Sequence, residues 1–370
     1  MQITITAKIK IKPTEDQVSQ LNETMIAYRQ GCNFVSRIVF ESVDLKQASL
    51  HKVTYGALRT QYGLRSQMAQ SVMKTVIARY KTNKSNGYEW SLVTFKRLEY
   101  DLVWNRDYSL SKEVFSLNTV EGRIKVPYES KGMEQYFESE WSFGTAKLVN
   151  KYGKWFLHIP MTKEVEDVLD YNINNVVGVD LGINFVATTY DSQDNTLFFN
   201  GRPIKHKRSK YKFLRKQLQQ LGTASSRRKL KRIGQRESRW MTDVNHQISK
   251  ALVDHYGSNT MFVIEDLSGV RNATERVRVK DRYVTVSWSF FEFRQMLVYK
   301  AVMSGSKVLT VDPRYTSQTC PKCGHTEKAN RDKTKHVFCC KNCCYTSNDD
   351  RVGAMNLHRK GIEYIAEVTA

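Results

Sequence analysis

The chain has 370 residues, of which 41% are hydrophobic and 11% aromatic, which suffices for two or three folded domains and excludes a disordered polymer. Its 58 lysines and arginines against 37 acidic residues leave a net charge of +21, which favours a polyanionic partner such as nucleic acid. A membrane would also attract this charge, but no apolar run approaches the roughly 20 residues of a bilayer span, so we expect no membrane partner.

The first 13 residues alternate apolar and polar side chains, which predicts a strand with one basic, exposed face. They lack the continuous apolar block of a secretion signal, so we expect a cytoplasmic protein. Pro13 ends the strand, and Thr14 with Gln17 forms the pattern of a capping box at the start of a helix. Apolar residues then recur at steps of three and four as far as Val39, and a second helix is predicted over Ser66–Lys81.

From about Phe115 the hydrophobic period changes to two, which predicts strands with a hairpin turn at residues 151–153. This order is typical of a small β-barrel that is discontinuous in sequence. We assign the barrel to residues 1–13 and 112–170, and an inserted helical domain to residues 14–111.

Beyond a polar break at residues 170–175, the pattern predicts an α/β layer. Three short strands are expected over residues 176–200, followed by helices, a strand that ends at Glu265, a helix that stops at Gly305 and a further strand. Strands first, and then strands alternating with helices, indicate a mixed sheet. We assign this domain to residues 171–314 and 346–370.

Three carboxylates stand at the ends of these elements: Asp180 and Glu265 end strands, and Asp350 precedes a helix. If they converge at one sheet edge, their charges repel unless cations neutralise them, and hard oxygen ligands suit Mg²⁺ or Mn²⁺. Two such ions roughly 4 Å apart can promote phosphodiester hydrolysis. The alternative is a turn residue, a surface charge and a helix cap, and spacing alone does not decide between these readings.

Six of the seven cysteines lie between Cys320 and Cys344, which argues against a disulfide framework or a disulfide-linked partner in a protein of this size. Two Cys-x-x-Cys pairs are separated by sixteen residues: Cys320, Cys323, Cys340 and Cys343. This spacing is typical of a zinc ribbon that holds one structural Zn²⁺, here at residues 315–345. Cys339 and Cys344 leave the register of the second pair open, and His325 and His336 are alternative ligands.

Residues 202–240 contain fifteen lysines and arginines but only one acidic residue, Glu237. Such a one-sided run suits a phosphate backbone, although a solvated basic helix is the common alternative. The candidate nucleic-acid contacts are Lys205, Lys207, Arg208, Lys212, Arg215, Arg227, Arg228 and Lys231.

The motifs GVDLGI around Asp180, FVIEDL around Glu265 and NDDRVGAMN around Asp350 resemble the three RuvC motifs of the TnpB family. This family consists of transposon-encoded RNA-guided nucleases related to type V CRISPR effectors. The segments YTSQTCPKCG and FCCKNCCY belong to the same resemblance, which runs in order through most of the chain. The family frame selects Asp350 over Asp349, and it selects Cys340 and Cys343, with Cys344 standing where glycine is usual.

The resemblance implies an RNase H-like (RuvC) nuclease domain that contains the zinc ribbon, a target nucleic-acid-binding insertion. It also implies an N-terminal barrel (wedge) domain with a helical (recognition) insertion. Two Mg²⁺ or Mn²⁺ ions would be bound by Asp180, Glu265 and Asp350 as catalytic residues. The implied partners are a transposon-derived guide RNA and double-stranded target DNA with a short adjacent motif.

Further expectations follow from position within this family. The second predicted helix resembles the one that approaches the target-adjacent motif, which makes Ser66, Gln67, Gln70 and Lys74 candidate contacts, against the alternative of an ordinary exposed helix face. The basic segment 272–283 is expected to cover the nuclease cleft as a lid. Because all three carboxylates are present, the sequence favours a nuclease over a cleavage-inactive RNA-guided repressor, and its length favours a transposon protein over a compact type V CRISPR effector.

Two alternative hypotheses differ more strongly from an RNA-guided nuclease. A DNA-strand transferase would need a His-x-His pair, which the sequence lacks. A zinc-ribbon protein that binds RNA without catalysis shares the charge and the cysteines, so only the role of Asp180 separates it from a nuclease.

Overall fold

A computed structural model describes residues 1–111, 113–130, 132–137, 140–267, 290–332 and 334–369. The predicted lid at residues 272–283 lies outside these described residues. The chain divides into two units, Met1–Glu164 and Val165–Ala370, which we call unit 1 and unit 2. No helix among the described residues is long and apolar enough to span a bilayer.

Unit 1 begins with a strand and then forms three helices. These are α1 (Glu15–Ser42), α2 (Gln47–Thr60) and α3 (Ser66–Ser85). The predicted capping box is present, because the Thr14 hydroxyl accepts the Gln17 backbone N–H at 3.4 Å and the Gln17 side chain accepts that of Thr14 at 3.1 Å. The sequence analysis had not predicted α2, which has no side-chain cap at its start.

The remainder of unit 1 is a curled antiparallel sheet. Its strands are β1 (Gln2–Ile11), β2 (Glu99–Leu102), β3 (Tyr108–Ser111), β4 (Val114–Asn118), β5 (Arg123–Glu129), β6 (Ser142–Phe143), β7 (Ala146–Lys151) and β8 (Lys154–Glu164). Their order is β2-β7-β8-β1-β5-β4-β3, with β6 on β8. The predicted hairpin at residues 151–153 joins β7 and β8.

One boundary differs from the expectation. Strands β2 and β3 join the sheet, although the sequence analysis had placed them in the helical domain at residues 14–111. Each strand has only four residues, which is too short for a period of two to stand out from the surrounding polar turns.

Unit 2 is built on the predicted mixed sheet. Its strands are β9 (Asn175–Asp180), β10 (Phe185–Asp191), β11 (Thr196–Asn200), β12 (Thr260–Glu265) and β13 (Lys307–Val311), in the order β11-β10-β9-β12-β13. The pairs of β9 with β10 and of β10 with β11 are antiparallel, whereas β12 pairs in parallel with β9 and with β13.

Helices cover both faces of this sheet. They are α4 (Arg202–Leu221), α5 (Ala224–Tyr256), α6 (Phe290–Met303) and α7 (Asp349–Thr369). On one face Val177 and Val179 pack with residues of α5 and α6, and on the other Val176 packs with Leu357 of α7. Because both faces are buried, the interior residues of β9 and β12 are apolar. Each of these two strands ends in a carboxylate.

A small three-stranded sheet lies between β13 and α7. Its strands are β14 (Arg331–Asp332), β15 (Val337–Cys339) and β16 (Thr346–Asn348). It coincides with the predicted ribbon, except that β16 extends the ribbon to residue 348, directly before α7.

Candidate active site

Asp180 and Glu265 lie side by side at one edge of the unit 2 sheet. Val179 pairs with Ile264 in the parallel register of β9 and β12, so the next residue on each strand is the carboxylate. Because parallel strands present their carboxyl ends at the same edge, the fold places the two acids together.

Helix α7 brings Asp350 to the same edge. A Cβ on Gly178 would overlap the backbone oxygen of Ala354, so glycine is required for this close approach of helix and strand. The preceding residue, Gly353, faces Asp180, and a Cβ there would lie 3.0 Å from the Asp180 carboxyl carbon. Helix α7 therefore packs directly against the strand that carries Asp180.

The three predicted carboxylates line one cleft of about 540 Å³. Desolvation raises the pKa of Asp180 well above its ordinary value, and the charges of Glu265 and Asp350 raise it further. Desolvation is also the main cause that raises the pKa of Glu265 and that of Asp350. A cluster of acids that resist ionisation together is an arrangement that a bound cation relieves.

The donor atoms of the three carboxylates lie farther apart than the binding of one ion by all three requires. Among the described residues, the cysteines below are the only group of three or more ligands whose donor atoms all lie within 4.8 Å of one another. In this arrangement the three carboxylates would therefore not all bind one ion.

Arg331, from the ribbon, also lines this cleft. Its Nε lies 2.8 Å from Asp349 Oδ2, and its terminal nitrogen lies 3.7 Å from Asp350 Oδ1. His336 lies 3.6 Å from the same Asp349 carboxylate, and its other ring nitrogen lies 2.7 Å from the amide of Asn184. Asp349 thus holds the ribbon, whereas Asp350 lines the cleft with Asp180 and Glu265.

A loop at the start of the ribbon connects Glu265 to α7. The Thr316 hydroxyl donates a hydrogen bond to Glu265. The Asn356 side chain, on α7, donates to the carbonyl oxygens of Thr316 and Thr319 at 2.7 and 2.8 Å. Asn356 is 4% exposed, so it anchors this loop to the helix.

The four predicted zinc ligands form a second cluster. Cys320 Sγ lies 3.6 Å from Cys343 Sγ, and Cys323 Sγ lies 3.5 Å from Cys340 Sγ. Tetrahedral zinc with bonds of about 2.3 Å places its sulfurs roughly 3.8 Å apart, so the cluster fits such an ion. All seven cysteines of the chain are free.

The two other cysteines of the ribbon and His325 lie outside the four-sulfur cluster. Cys344 has a φ of 57°, the left-handed conformation that favours the glycine usual at this place. Neither Cys344 nor Cys339 belongs to the four-sulfur cluster. His325 pairs with Glu327 at 3.1 Å, and it too lies outside the cluster.

The basic run 202–240 forms α4 and α5, which pack together. Arg208 and Glu237 are 2% and 4% exposed, and Glu237 pairs with both Arg208 and Arg215. Arg208 therefore stabilises the helix pair and is not on its surface. Lys212 and Arg215 are half-buried, whereas the other predicted contacts of this run are exposed: Lys205, Lys207, Arg227, Arg228 and Lys231.

The predicted contacts in unit 1 lie in the first half of α3. Ser66 and Lys74 are exposed, and Gln67 and Gln70 are half-buried. The Gln67 side-chain oxygen accepts a hydrogen bond from Arg106 at 3.1 Å, so this end of the helix also presents a guanidinium.

Two family models match parts of the chain. A transposase family, OrfB_IS605, matches residues 158–276, and a Cas12f1-like TNB domain matches residues 290–357. The second match contains the ribbon and ends within α7.

Several proteins are similar in sequence. InsQ of Escherichia coli K12, named as an RNA-guided DNA endonuclease, is 30% identical over 270 residues, which cover 68% of this chain and 65% of InsQ, just under two thirds of its length. The CRISPR-associated endodeoxyribonuclease Cas12f1 of Sulfoacidibacillus thermotolerans is 25% identical over 363 residues, or 87% of this chain and 83% of that protein. The TnpB-like protein MJ0751 of Methanocaldococcus jannaschii is 32% identical over 126 residues, or 34% of this chain and 44% of that protein.

A solved complex of Cas12f1 with sgRNA and target DNA resembles this chain in fold. The TM-score is 0.60 at 12% identity, and the match covers 96% of this chain and 99% of that one. At this identity the likeness concerns the fold alone.

Proposed function

We propose that the chain is a member of the TnpB family and an RNA-guided DNA endonuclease. A transposon-derived guide RNA would select the target by base pairing, and the protein would recognise a short adjacent motif before cleaving both DNA strands. The observation that carries the proposal is the cleft lined by Asp180, Glu265 and Asp350.

For unit 2 we propose the RNase H-like (RuvC) fold, and for unit 1 a wedge barrel with a recognition insertion. The order β11-β10-β9-β12-β13, antiparallel first and parallel afterwards, supports the first assignment. The curled sheet with three helices inserted after β1 supports the second.

The carboxylate cleft would hold two Mg²⁺ or Mn²⁺ ions on Asp180, Glu265 and Asp350. Such ions supply an activated water molecule and stabilise the leaving oxygen of a phosphodiester. The protein's own contribution is to orient the acids: Thr316 holds Glu265, and the seat of α7 on β9 holds Asp350 beside Asp180. Arg331 would offer its guanidinium to the scissile phosphate, because it lines the same cleft.

The four cysteines would hold one structural zinc ion, since four thiolates leave no open coordination position. The ribbon carries Arg331 and ends directly before α7. The zinc ion would therefore support the cleft without taking part in hydrolysis.

Replacing Asp180 with alanine tests the proposal. We expect cleavage of a target duplex by the purified ribonucleoprotein with Mg²⁺ to fall at least about a thousandfold, which corresponds to about 4 kcal/mol of transition-state stabilisation. Binding of the copurifying RNA should persist, because the substitution lies within the acidic cleft.

Asp254→Ala is a matched control, because Asp254 is an exposed aspartate of α5 in the same unit. It should leave cleavage unchanged. If Asp180→Ala cleaves as well as the control, the catalytic assignment is wrong. If the unaltered protein binds guide and target but leaves the DNA intact, the protein is an RNA-guided repressor.

A further inference from the structure

A histidine of the ribbon, His336, lines the carboxylate cleft and lies outside the four-sulfur cluster. It directly precedes β15, and its side chain is 43% exposed. Its φ of 55° is a left-handed conformation, which histidine adopts more readily than most residues other than glycine. A residue held in this conformation beside a cleft is a candidate for a functional role.

Two contacts orient the imidazole ring of His336. Its Nδ1 lies 3.6 Å from Oδ2 of Asp349, whose side chain is fully buried, and its Nε2 lies 2.7 Å from the side-chain amide of Asn184. Asn184 lines the cleft, whereas Asp349 does not. Nε2 is therefore the ring nitrogen on the side of the cleft. A carboxylate beside the opposite nitrogen is the arrangement that holds a catalytic imidazole in one orientation.

The backbone of His336 is attached to the helix that carries Asp350. Its carbonyl oxygen accepts hydrogen bonds from the Asp349 N–H and from the Asn348 side chain, both at 3.4 Å. The start of α7 therefore positions the imidazole and the third acid of the cleft together.

The oxygen that leaves during hydrolysis of a phosphodiester must gain a proton. Within the described lining of the cleft, the ionisable side chains are Asp180, Glu265, Asp350, Arg331 and His336. The three acids are the proposed metal ligands, and a guanidinium does not release its proton in proteins. An imidazole gives and takes protons near neutral pH, so among these side chains His336 is the one suited to the transfer.

We propose that Nε2 of His336 gives a proton to the bridging oxygen that leaves when a DNA strand is cleaved in this cleft. The inference rests on the proposed nuclease function and adds a catalytic residue to it. The oxygen of the attacking water forms a bond to phosphorus, the bond between phosphorus and the bridging oxygen breaks, and the bridging oxygen takes the proton from Nε2. The attacking water loses one proton to solvent, and solvent returns one proton to the imidazole.

The test compares two DNA substrates under single-turnover conditions, with the purified ribonucleoprotein and Mn²⁺. The ends of the cleaved strand identify the bridging oxygen that leaves, and in the second substrate sulfur replaces that oxygen. A thiolate leaves without being protonated, because a thiol is far more acidic than an alcohol. We expect His336→Gln to lower cleavage of the all-oxygen substrate about a hundredfold and cleavage of the sulfur substrate less than about threefold.

The comparison of two substrates separates proton transfer from a structural role. A loss of folded protein would lower both rates equally, and zinc content is measured in parallel. His336→Asn is a second variant, because asparagine also tolerates the left-handed backbone of this position, and it should give the same pattern.

Asn184→Ala tests the orientation of the ring, because Asp349 alone would then hold the imidazole. It should lower cleavage of the all-oxygen substrate about tenfold and leave cleavage of the sulfur substrate nearly unchanged. Equal losses on the two substrates, or no loss, would show that Asn184 does not position His336.

His325→Gln is the matched control, because His325 is another histidine of the ribbon, pairs with Glu327 at 3.1 Å and lies outside the cleft. It should leave both rates unchanged. If His336→Gln loses equally on both substrates, or loses nothing on either, His336 does not protonate the leaving oxygen, although the protein is still a nuclease. If the unaltered protein cleaves neither substrate, the proposed function is wrong and this inference with it.

Discussion

Arg331 illustrates how a single residue can join two parts of the site. It belongs to β14 of the ribbon, yet its guanidinium reaches Asp349 at 2.8 Å and Asp350 at 3.7 Å. Its planar fork can bind two oxygen atoms at once, so it can hold the helix terminus and still present nitrogen atoms to a phosphate. The sequence analysis had not singled out this residue.

Arg331→Ala is expected to lower cleavage about a hundredfold, because the cleft loses a donor aimed at the developing charge of the phosphate. Arg331→Lys should recover only part of the activity, since lysine lacks the fork. The readout is cleavage under single-turnover conditions, with zinc content measured in parallel. Lys335→Ala, an exposed cation of the same ribbon, is the control; equal activity of the two alanine variants would contradict the prediction.

The raised pKa of Asp180 predicts how the metal-free protein responds to pH. This pKa lies above the value near 4 of an aspartate in an unfolded chain. The folded protein therefore disfavours the ionised carboxyl, and the free energy of unfolding falls as the pH rises through the folded pKa. In EDTA, Asp180→Asn should raise the Tm by at least about 2 °C at pH 8, for about 1 kcal/mol relieved, and by less at pH 4.

Asp254→Asn is the control for this pH experiment, because Asp254 is exposed, and it should leave the Tm unchanged at both pH values. Equal gains for Asp180→Asn at pH 4 and pH 8 would show that relief of the desolvated charge is not the cause.

At the scale of elements, the contact between α7 and β9 decides whether the acids meet. Gly178 is buried in β9 and allows the backbone of Ala354 in α7 to approach closely. Gly361 of α7 lies against the side chains of Val176 and Val263. The motif NDDRVGAMN around Asp350 also contains Ala354 and Asn356. The structure gives both residues a role, because Ala354 lies where the helix contacts the strand and Asn356 anchors the loop at the start of the ribbon.

Gly178→Ala should lower the free energy of unfolding by about 1–3 kcal/mol, because the added methyl group meets a backbone oxygen that cannot move aside. Thermal unfolding provides the measurement. Gly234→Ala, in α5, meets no atom within 4 Å and should instead raise stability by about 0.5–1 kcal/mol. A neutral Gly178→Ala would mean that the helix can shift at little cost.

Elements were predictable from sequence to the degree that their patterns are local. The capping box of α1 and the hairpin at residues 151–153 follow from short-range chemistry, and both are confirmed. The short strands β2 and β3 were missed because four residues are too few for a period of two to stand out, and because the partner of β2, strand β7, lies far along the chain. The position of Arg331 was missed because only the ribbon fold brings it to Asp349.

At the scale of the whole molecule, the positive charge and the two candidate sites are distributed differently between the two units. The net charge of +21 is spread over both units, but the carboxylate cleft and the cysteine cluster both belong to unit 2. Residue spacing indicated a zinc ribbon, and the family motif then selected Cys340 and Cys343 in its second pair, whereas the three acids stood out only through the family motifs. Spacing indicated the ribbon because the two cysteines of each pair are close in sequence, whereas the acids are distant from one another.

Zinc removal is expected to affect the two activities of the molecule differently. Cys323→Ser with Cys343→Ser should abolish the one zinc ion per chain and lower cleavage strongly, because the ribbon carries Arg331 and leads into α7. Binding of the copurifying RNA should persist. Zinc content, cleavage and RNA affinity are the three measurements, and full cleavage in the zinc-free variant would contradict the structural role of the ion.

The position of Asp350, after Asp180 and Glu265 in the chain, has a consequence for synthesis on the ribosome. A nascent chain contains Asp180 and Glu265 well before α7 has been translated, because α7 begins at Asp349. The two acids gain their third partner only when α7 packs against β9. The growing polypeptide therefore lacks the complete set of acids until α7 has left the ribosome.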